Sequence, residues 1–125
     1  MEFTALYKGL SDNQRLRILN LLKDGPLCVC HLMEILDSDQ VKISKQLRYM
    51  KELGLVEGER QAQWMVYRLT EPGDPLLASN LSCLRTAFRE ELGLGEDLRK
   101  RAEILARIEC ATGACPDLTS VSCCA

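Results

Sequence analysis

Two cysteines separated by one residue, Cys28 and Cys30, are the side chains of this sequence best suited to chemistry. They follow Gly25 and Pro26, which end the preceding helical pattern, so they fall at the start of the next predicted helix. Residues two apart face different sides of a regular helix, but a first turn is free to unwind. The positive end of the helix dipole favours thiolates there, and thiolates bind soft metals and metalloids. The alternative interpretation is two small buried apolar residues.

The remaining cysteines are spread over the second half of the chain. The total of seven is odd, and no export signal precedes them, so we expect reduced thiols rather than a disulfide scaffold. No pair has the spacing of two intervening residues that is typical of zinc fingers. An isolated cysteine on a predicted helix favours packing, and the last four are candidate additional ligands. These residues are Cys83, then Cys110, Cys115, Cys123 and Cys124.

The helix that follows the thiols has one apolar face and one polar face. Over residues 39–53, Ile43, Leu47, Met50 and Leu53 recur at helical spacing and predict a buried stripe. The polar side carries the residue types that reach phosphates and base edges in a major groove; its alternative interpretation is a solvated face. The predicted DNA-binding residues of this reader helix are Lys42, Ser44, Lys45, Gln46, Arg48 and Tyr49.

Length and charge limit the possible classes of protein. A chain of 125 residues can bury a real core, and it has neither a signal peptide nor an apolar run that could span a bilayer. We therefore expect a cytoplasmic protein with no membrane contact. The net charge of −2 does not favour nucleic-acid binding by the whole surface. Residues 38–53, however, hold four Lys and Arg against two acidic residues, which favours a local contact with few phosphates.

Helices and a hairpin surround this centre. Periodicity predicts a first helix over about residues 2–10, and Ser11 with Gln14 forms a capping box that starts a second helix. The thiol-bearing helix is predicted over about residues 28–36. Residues 55–59 and 64–69 read as two strands, with a polar turn between them and Arg68 available for flanking phosphates.

The C-terminal third predicts a paired surface and a tail. A helix over residues 76–92 has more apolar surface than one domain can cover, so we expect it to form a homodimer together with the first helix. Residues 93–95 read as a hinge, and residues 96–109 as a last helix. We expect residues 1–93 to form the DNA-binding and dimerisation domain. Residues 94–125 would then be a C-terminal helix and a cysteine-rich tail.

Several motifs in order resemble one family, the arsenical-resistance repressors of the ArsR/SmtB group. The resemblance covers roughly residues 3–110. The matching blocks are Leu27-Cys28-Val29-Cys30-His31-Leu32, Ser11-Asp12-Asn13-Gln14-Arg15-Leu16, Lys42-Ile43-Ser44-Lys45-Gln46-Leu47, Gly54-Leu55-Val56 and Trp64-Met65-Val66-Tyr67-Arg68-Leu69. The chain departs from the pattern at Met33 in place of a third cysteine, at His31 in place of Asp, and at Ala62 in place of a wing-turn glycine.

The resemblance implies a mainly α, winged helix-turn-helix homodimer with a small β-hairpin wing. It implies a repressor that binds double-stranded operator DNA and is released by trivalent arsenic or antimony held by sulfur, with no organic cofactor. Three sulfurs would hold the metalloid. Since Met33 is a poor replacement for a thiol, the third sulfur would come from elsewhere, such as the tail, or the site would work with two protein thiols plus a small thiol or water.

Three other functions remain as alternatives. The zinc sensors of the family place His and Asp pairs on the dimerisation helix, and residues 76–92 contain no histidine, so zinc sensing is disfavoured. The single histidine, His31, is better explained as a solvated residue at a helix start. Cadmium or lead remain minor effectors. The same scaffold would also serve as a redox switch if the thiols were oxidised. A thiol oxidoreductase using Cys123 and Cys124 lacks a catalytic base near the tail. We therefore expect a regulator and not an enzyme.

Overall fold

The computed structural model describes residues 3–61, 64–71 and 73–112, with side chains to residue 107. Six helices and three short strands make up this part of the chain. No helix within it is both long and apolar enough to cross a membrane. In chain order the elements are α1 (Phe3–Gly9), α2 (Asn13–Lys23), β1 (Leu27–Cys28), α3 (Val29–Leu36), α4 (Gln40–Glu52), β2 (Val56–Gln61), β3 (Trp64–Leu69), α5 (Pro75–Ala87) and α6 (Leu94–Thr112).

Helix α2 begins one residue later than the capping box predicts. Asp12, and not Ser11, is the N-cap: its carboxylate accepts a hydrogen bond from the backbone N–H of Arg15 at 3.2 Å. The Ser11 hydroxyl instead donates to the carbonyl of Lys8 at the end of α1. The capping prediction was therefore wrong in its residue, because Ser11 is used to close the preceding corner.

Helices α3 and α4 are joined by a tight polar turn at residues 37–39. Asp37 adopts a left-handed conformation with φ of 49°, which Asp tolerates better than most residues, and ends α3. Asp39 then caps α4, accepting from the backbone N–H of Lys42 at 2.8 Å. This confirms the helix-turn-helix arrangement, in which α4 is the helix predicted to contact DNA.

The wing is a sheet of three strands and not a two-stranded hairpin. Strand order is β1-β3-β2, all antiparallel, so the two residues of β1 extend the wing at its β3 edge. Leu27 pairs with Tyr67, and Cys28 pairs with Val66. The sequence does not predict β1, because a strand of two residues carries no periodic pattern of its own. The wing turn itself, including Ala62, lies outside the described residues.

One apolar core holds these elements together as a winged helix-turn-helix. The buried stripes of α2, α3 and α4 meet inside it, so the predicted core face of the reader helix is confirmed. Side chains with no exposed surface from these three helices are Ile18, Leu19, Leu21, Leu32, Ile35, Ile43, Leu47 and Met50.

The last two helices differ from their predicted bounds. Helix α5 ends at Ala87, and α6 already begins at Leu94, so the predicted hinge at residues 93–95 is mostly helix. Among residues 93–95, only Gly93 adopts a positive φ, of 71°. The reason is tertiary: Leu94 is buried with 1% of its surface exposed, and it anchors the first turn of α6.

A buried ion pair fixes α6 to α2. Asp97 is 1% exposed and accepts two hydrogen bonds from the guanidinium of Arg17, each at 2.8 Å. This contact raises the pKa of Arg17 above its ordinary value, because the carboxylate stabilises the charged form. Lys100 adds a hydrogen bond to the carbonyl of Ile35, and Arg107 pairs with Glu34, so α6 also holds α3.

Removing one member of the buried pair should be worse than removing both. Arg17→Met leaves the Asp97 carboxylate buried without its partner and should lower the free energy of unfolding by about 3 kcal/mol. The double variant Arg17→Met with Asp97→Leu should recover most of that loss. Urea denaturation of the two single variants and the double variant measures this; additive losses would contradict the pairing.

Candidate functional site

The two thiols converge because Cys28 lies outside the helix that carries Cys30. Cys28 ends β1 and is the N-cap of α3 with extended backbone angles, φ −84° and ψ 162°. Cys30 is the second residue of α3. As a result the two Sγ atoms are 3.0 Å apart, close enough for either thiol to donate a hydrogen bond to the other. The expected unwinding of a first helical turn is therefore unnecessary, because the chain already bends at Cys28.

A cleft of about 510 Å³ opens beside this pair, between α3, α4 and the wing. We call it the thiol cleft. Its lining combines four sulfur-containing side chains with two aromatic rings and polar groups from the reader helix and β2. These residues are Cys28, Val29, Cys30, Met33, Gln40, Ser44, Arg60, Trp64, Met65 and Tyr67.

Of the three residues that depart from the family pattern, Met33 and His31 are described by the structure, and their surroundings differ. Met33 is half-buried, lines the thiol cleft and packs on the core, which agrees with a filling role. His31 is 4% exposed, so its interpretation as a solvated residue is wrong. Burial is the main cause that lowers the pKa of His31. The negative charge of Glu34 raises this pKa, and the positive charges of Arg107 and Arg101 lower it. His31 is absent from the cleft lining, and its Nδ1 has no hydrogen-bond partner within the described residues.

The other cysteines are not brought to the thiol cleft by the described residues. Cys83 lies exposed on α5 rather than packed. Cys110 falls in the last turns of α6, beyond the described side chains, and Cys115, Cys123 and Cys124 lie outside the described residues. Within the described part of the chain, no three His, Cys, Asp or Glu side chains group to hold a metal ion.

The exposed side of α4 carries the predicted basic residues. Lys42, Lys45 and Arg48 are exposed, and Ser44 is half-buried. We call these four residues the reader face. Ser44 also lines the thiol cleft, so this helix position borders both the reader face and the thiols.

Gln46 and Tyr49 face the N-terminal end of α2. The Gln46 side chain accepts from Arg15 at 2.9 Å and donates to Asp12 at 3.1 Å. The Arg15 guanidinium lies 4.8 Å from the centre of the Tyr49 ring, a cation–π contact. These two residues therefore fix the reader helix against α2, a role that a single helix pattern does not reveal.

Arg68 and the first turn of α4 also differ from the sequence expectation. Arg68 pairs with Glu57 at 2.9 Å and with Glu59 at 3.1 Å on the neighbouring strand. Val41 is 74% exposed beside Gln40, and both line a hollow of about 320 Å³ with Ser44, Lys45 and Arg48. A pattern of charged residues does not identify Gln40 and Val41. Their position in the first turn of α4 is the sequence signal that could have identified them.

Comparisons with known proteins agree with this architecture. The family model described as bacterial regulatory protein, arsR family, matches residues 12–58. The arsenical resistance operon repressor of Bacillus subtilis (strain 168) is 35% identical over 85 residues, which cover 66% of this chain and 81% of that protein. The chain belongs to the ArsR family.

Two further matches bear on this assignment. The arsenical resistance operon repressor of Escherichia coli (strain K12) is 43% identical over 77 residues, 61% of this chain and 65% of that protein, so the match spans just under two thirds of its length. The crystal structure of the transcriptional repressor BigR from Xylella fastidiosa superposes with a TM-score of 0.61 at 32% identity, covering 68% of this chain and 84% of that one. This ArsR-family chain thus has a winged-helix fold, and the relatives named here are described as repressors.

Proposed function

We propose that this chain represses transcription by binding operator DNA, and that it leaves the operator when trivalent arsenic or antimony binds to Cys28 and Cys30. The observation that carries the proposal is the 3.0 Å separation of the two Sγ atoms at the junction of β1 and α3. Two thiolates bound at about 2.3 Å to one tetrahedral ion lie roughly 3.8 Å apart, and a pyramidal centre needs less. Small side-chain rotations would therefore bring both sulfurs onto one ion.

The position of Cys28 would transmit that change to DNA. Its backbone pairs with Val66 of the wing, and Leu32 and Ile35 of the α3 that it caps belong to the same buried core as the apolar face of α4. A close-packed core does not deform smoothly, so a shift at Cys28 moves the wing and the reader helix relative to each other. Release of the operator would follow from that relative movement.

The reader face is the proposed contact with operator DNA. Lys42, Lys45 and Arg48 would reach phosphates or guanine, and Ser44 would contribute to base reading. The contacts of Gln46 and Tyr49 with α2 favour a positioning role for both, instead of the base reading first expected for Gln46. Arg68 would serve a flanking phosphate only by exchanging its partners Glu57 and Glu59.

Neutralising the reader face should change the salt dependence of operator binding. Lys45→Ala and Arg48→Ala should each lower the slope of log affinity against log salt concentration by about one unit, since each removes one phosphate contact. Lys23→Ala is the matched control, because this exposed residue lies at the end of α2 opposite to the contact with α4. Unchanged slopes for both reader-face variants would show that the DNA surface lies elsewhere.

Replacing either converging thiol should separate DNA binding from induction. Cys28→Ala and Cys30→Ser should still bind operator but should not release it with arsenite, because one ligand of the metalloid is lost. Alanine is used at Cys28 because this residue is 2% exposed and a serine hydroxyl would be buried there. Fluorescence anisotropy of a labelled operator duplex, titrated with arsenite, antimonite, zinc and cadmium under reducing conditions, measures both properties.

Two control variants accompany these thiols. Cys83→Ser should respond to arsenite like the wild type, since Cys83 is exposed on α5. A variant with serine at Cys110, Cys115, Cys123 and Cys124 should remain inducible, at most with weaker response. If that variant is not released from operator by arsenite while the Cys28 and Cys30 variants still are, the inducer site lies in the C-terminal tail.

We also propose a homodimer through α1 and α5, which lets two reader helices enter major grooves about 34–36 Å apart. Phe3, Tyr7 and Phe88 are 77%, 50% and 48% exposed, unusually high for such side chains. Leu81 lies within residues 76–92, the helix predicted to form this interface, but it is 1% exposed and belongs to the chain's own core.

Charges on the exposed apolar residues should therefore break the dimer. Tyr7→Glu and Phe88→Glu should sediment as monomers and bind operator weakly. Val41→Glu, which places a charge on a still more exposed apolar residue of α4, should remain dimeric. Sedimentation equilibrium without DNA makes this measurement. A wild-type monomer, or dimers for both charged variants, would contradict the interface.

The proximity of the two sulfurs also favours a redox switch as a second candidate. Oxidation by peroxide would join Cys28 and Cys30 in a disulfide, with two molecules of water formed from the peroxide and the two thiol protons. Release of the operator by peroxide alone, reversed by reductant, would support this candidate. Release by arsenite under full reduction supports the metalloid response.

A further inference from the structure

We propose that the inducer of this repressor is trivalent arsenic carrying one organic substituent, with the arsenic on Cys28 and Cys30 and the substituent in the thiol cleft. This inference rests on the metalloid response proposed above and specifies the chemical class of the ligand. It depends on the number of sulfur donors that converge and on the size and lining of the space beside them.

The donor set matches an arsenic centre that needs two sulfurs. An arsenical of formula RAs(OH)₂ exchanges its two hydroxides for two thiolates: two As–O bonds break, two As–S bonds form, and two water molecules leave with the thiol protons. The As–C bond is kept, and arsenic stays trivalent throughout. Cys28 and Cys30, with Sγ atoms 3.0 Å apart, supply that pair.

The third sulfur at the cleft is of the wrong kind for inorganic arsenite. Met33 lies one turn after Cys30 on the same helix and lines the same cleft. A thioether has no proton to release and does not form the thiolate that displaces hydroxide. Arsenite held by this pair would therefore keep one hydroxide, whereas an organic arsenical carries carbon at that position and needs no third thiolate.

The thiol cleft has the size and lining of a small-molecule site. Its volume of about 510 Å³ lies within the usual range for organic ligands and greatly exceeds the space that a bare ion occupies. Trp64 and Tyr67 supply flat rings from β3, and Met33 and Met65 supply flexible, polarizable walls that adapt to ligand shape. An aryl or alkyl group on arsenic would gain apolar burial there.

The cleft also explains how such a ligand would act on DNA binding. Gln40 and Ser44 of α4 line one side, and Arg60 of β2 lines another. A substituent seated between them would press on the reader helix and the wing at the same time. Arsenic bound to the thiols alone would contact only the junction of β1 and α3 and would act on the reader helix indirectly, through α3.

The test compares phenylarsine oxide, which hydrates to a compound of the required formula, with arsenite. Both are titrated into the full chain in a thiol-free reductant, and two signals are followed: the fluorescence of Trp64, the single tryptophan, and release of the labelled operator. We expect half-maximal effect at a phenylarsine oxide concentration about tenfold or more below that of arsenite, with one arsenic bound per chain by mass spectrometry.

Two variants test the donor set and the cleft separately. The ratio used here is the half-effect concentration of arsenite divided by that of phenylarsine oxide. Met33→Cys adds a third thiol, which favours arsenite, and should therefore bring this ratio close to one. Trp64→Ala removes one wall and should lower the same ratio by raising the phenylarsine oxide concentration, with operator release as the readout. Taking the ratio within each variant cancels any change in operator affinity.

The results that overturn the inference differ from those that overturn the proposed function. If arsenite releases operator but the wild-type ratio is one or less, or neither variant changes it, the organic-substituent inference is wrong and the metalloid response stands. If the variant with serine at the four C-terminal cysteines loses the Trp64 response to phenylarsine oxide, the ligand is held by the tail and the inference is again wrong. If neither compound binds nor releases operator, the proposed function itself fails.

Discussion

The change of direction at Cys28 is the constraint on which the rest of this structure depends. Here an extended backbone, paired with Val66 in the wing, turns directly into the first turn of α3. The same bend brings the sulfur of Cys28 within 3.0 Å of that of Cys30. One residue thus belongs to the sheet, caps the helix and supplies half of the converging thiol pair, so it cannot move without affecting all three.

Helix α3 is held from two sides, which limits where a movement at Cys28 can go. On one side it shares the core with the reader helix; on the other, α6 contacts it through Lys100 and Arg107. Helix α6 is itself fixed to α2 by the buried Asp97 and Arg17 pair. Because α6 holds one side of α3, a shift at the first residues of α3 would mainly displace α4 and the wing, the two elements proposed to contact DNA.

The sequence predicted most of this architecture, because each helix repeats its apolar residues at a regular spacing. The buried stripe of Ile43, Leu47 and Met50 was found from spacing alone. What it missed depends on contacts between distant residues: the two-residue β1 exists only because β3 lies beside it, and Leu94 starts α6 early because the core accepts it.

The candidate site was predictable in its residue types and less so in its geometry. The pattern of Cys28 and Cys30 identified the thiols, but only the β1 pairing explains why they converge. Likewise, the polar side of α4 was found from its composition, while the attachment of Gln46 to Arg15 and Asp12 depends on residues more than thirty positions away. The burial of His31 beneath α6 also has no local signal.

Coupling between the thiol pair and the reader helix is the central claim, and thermodynamic reciprocity tests it most directly. If arsenic on Cys28 and Cys30 weakens operator binding, operator must weaken arsenic binding by the same factor. Titrating arsenite against Trp64 fluorescence, with and without saturating operator duplex, measures that factor. We predict that operator raises the arsenite concentration needed by roughly 5- to 150-fold, equal to the loss of operator affinity caused by saturating arsenite. Identical arsenite titrations with and without operator would contradict the account.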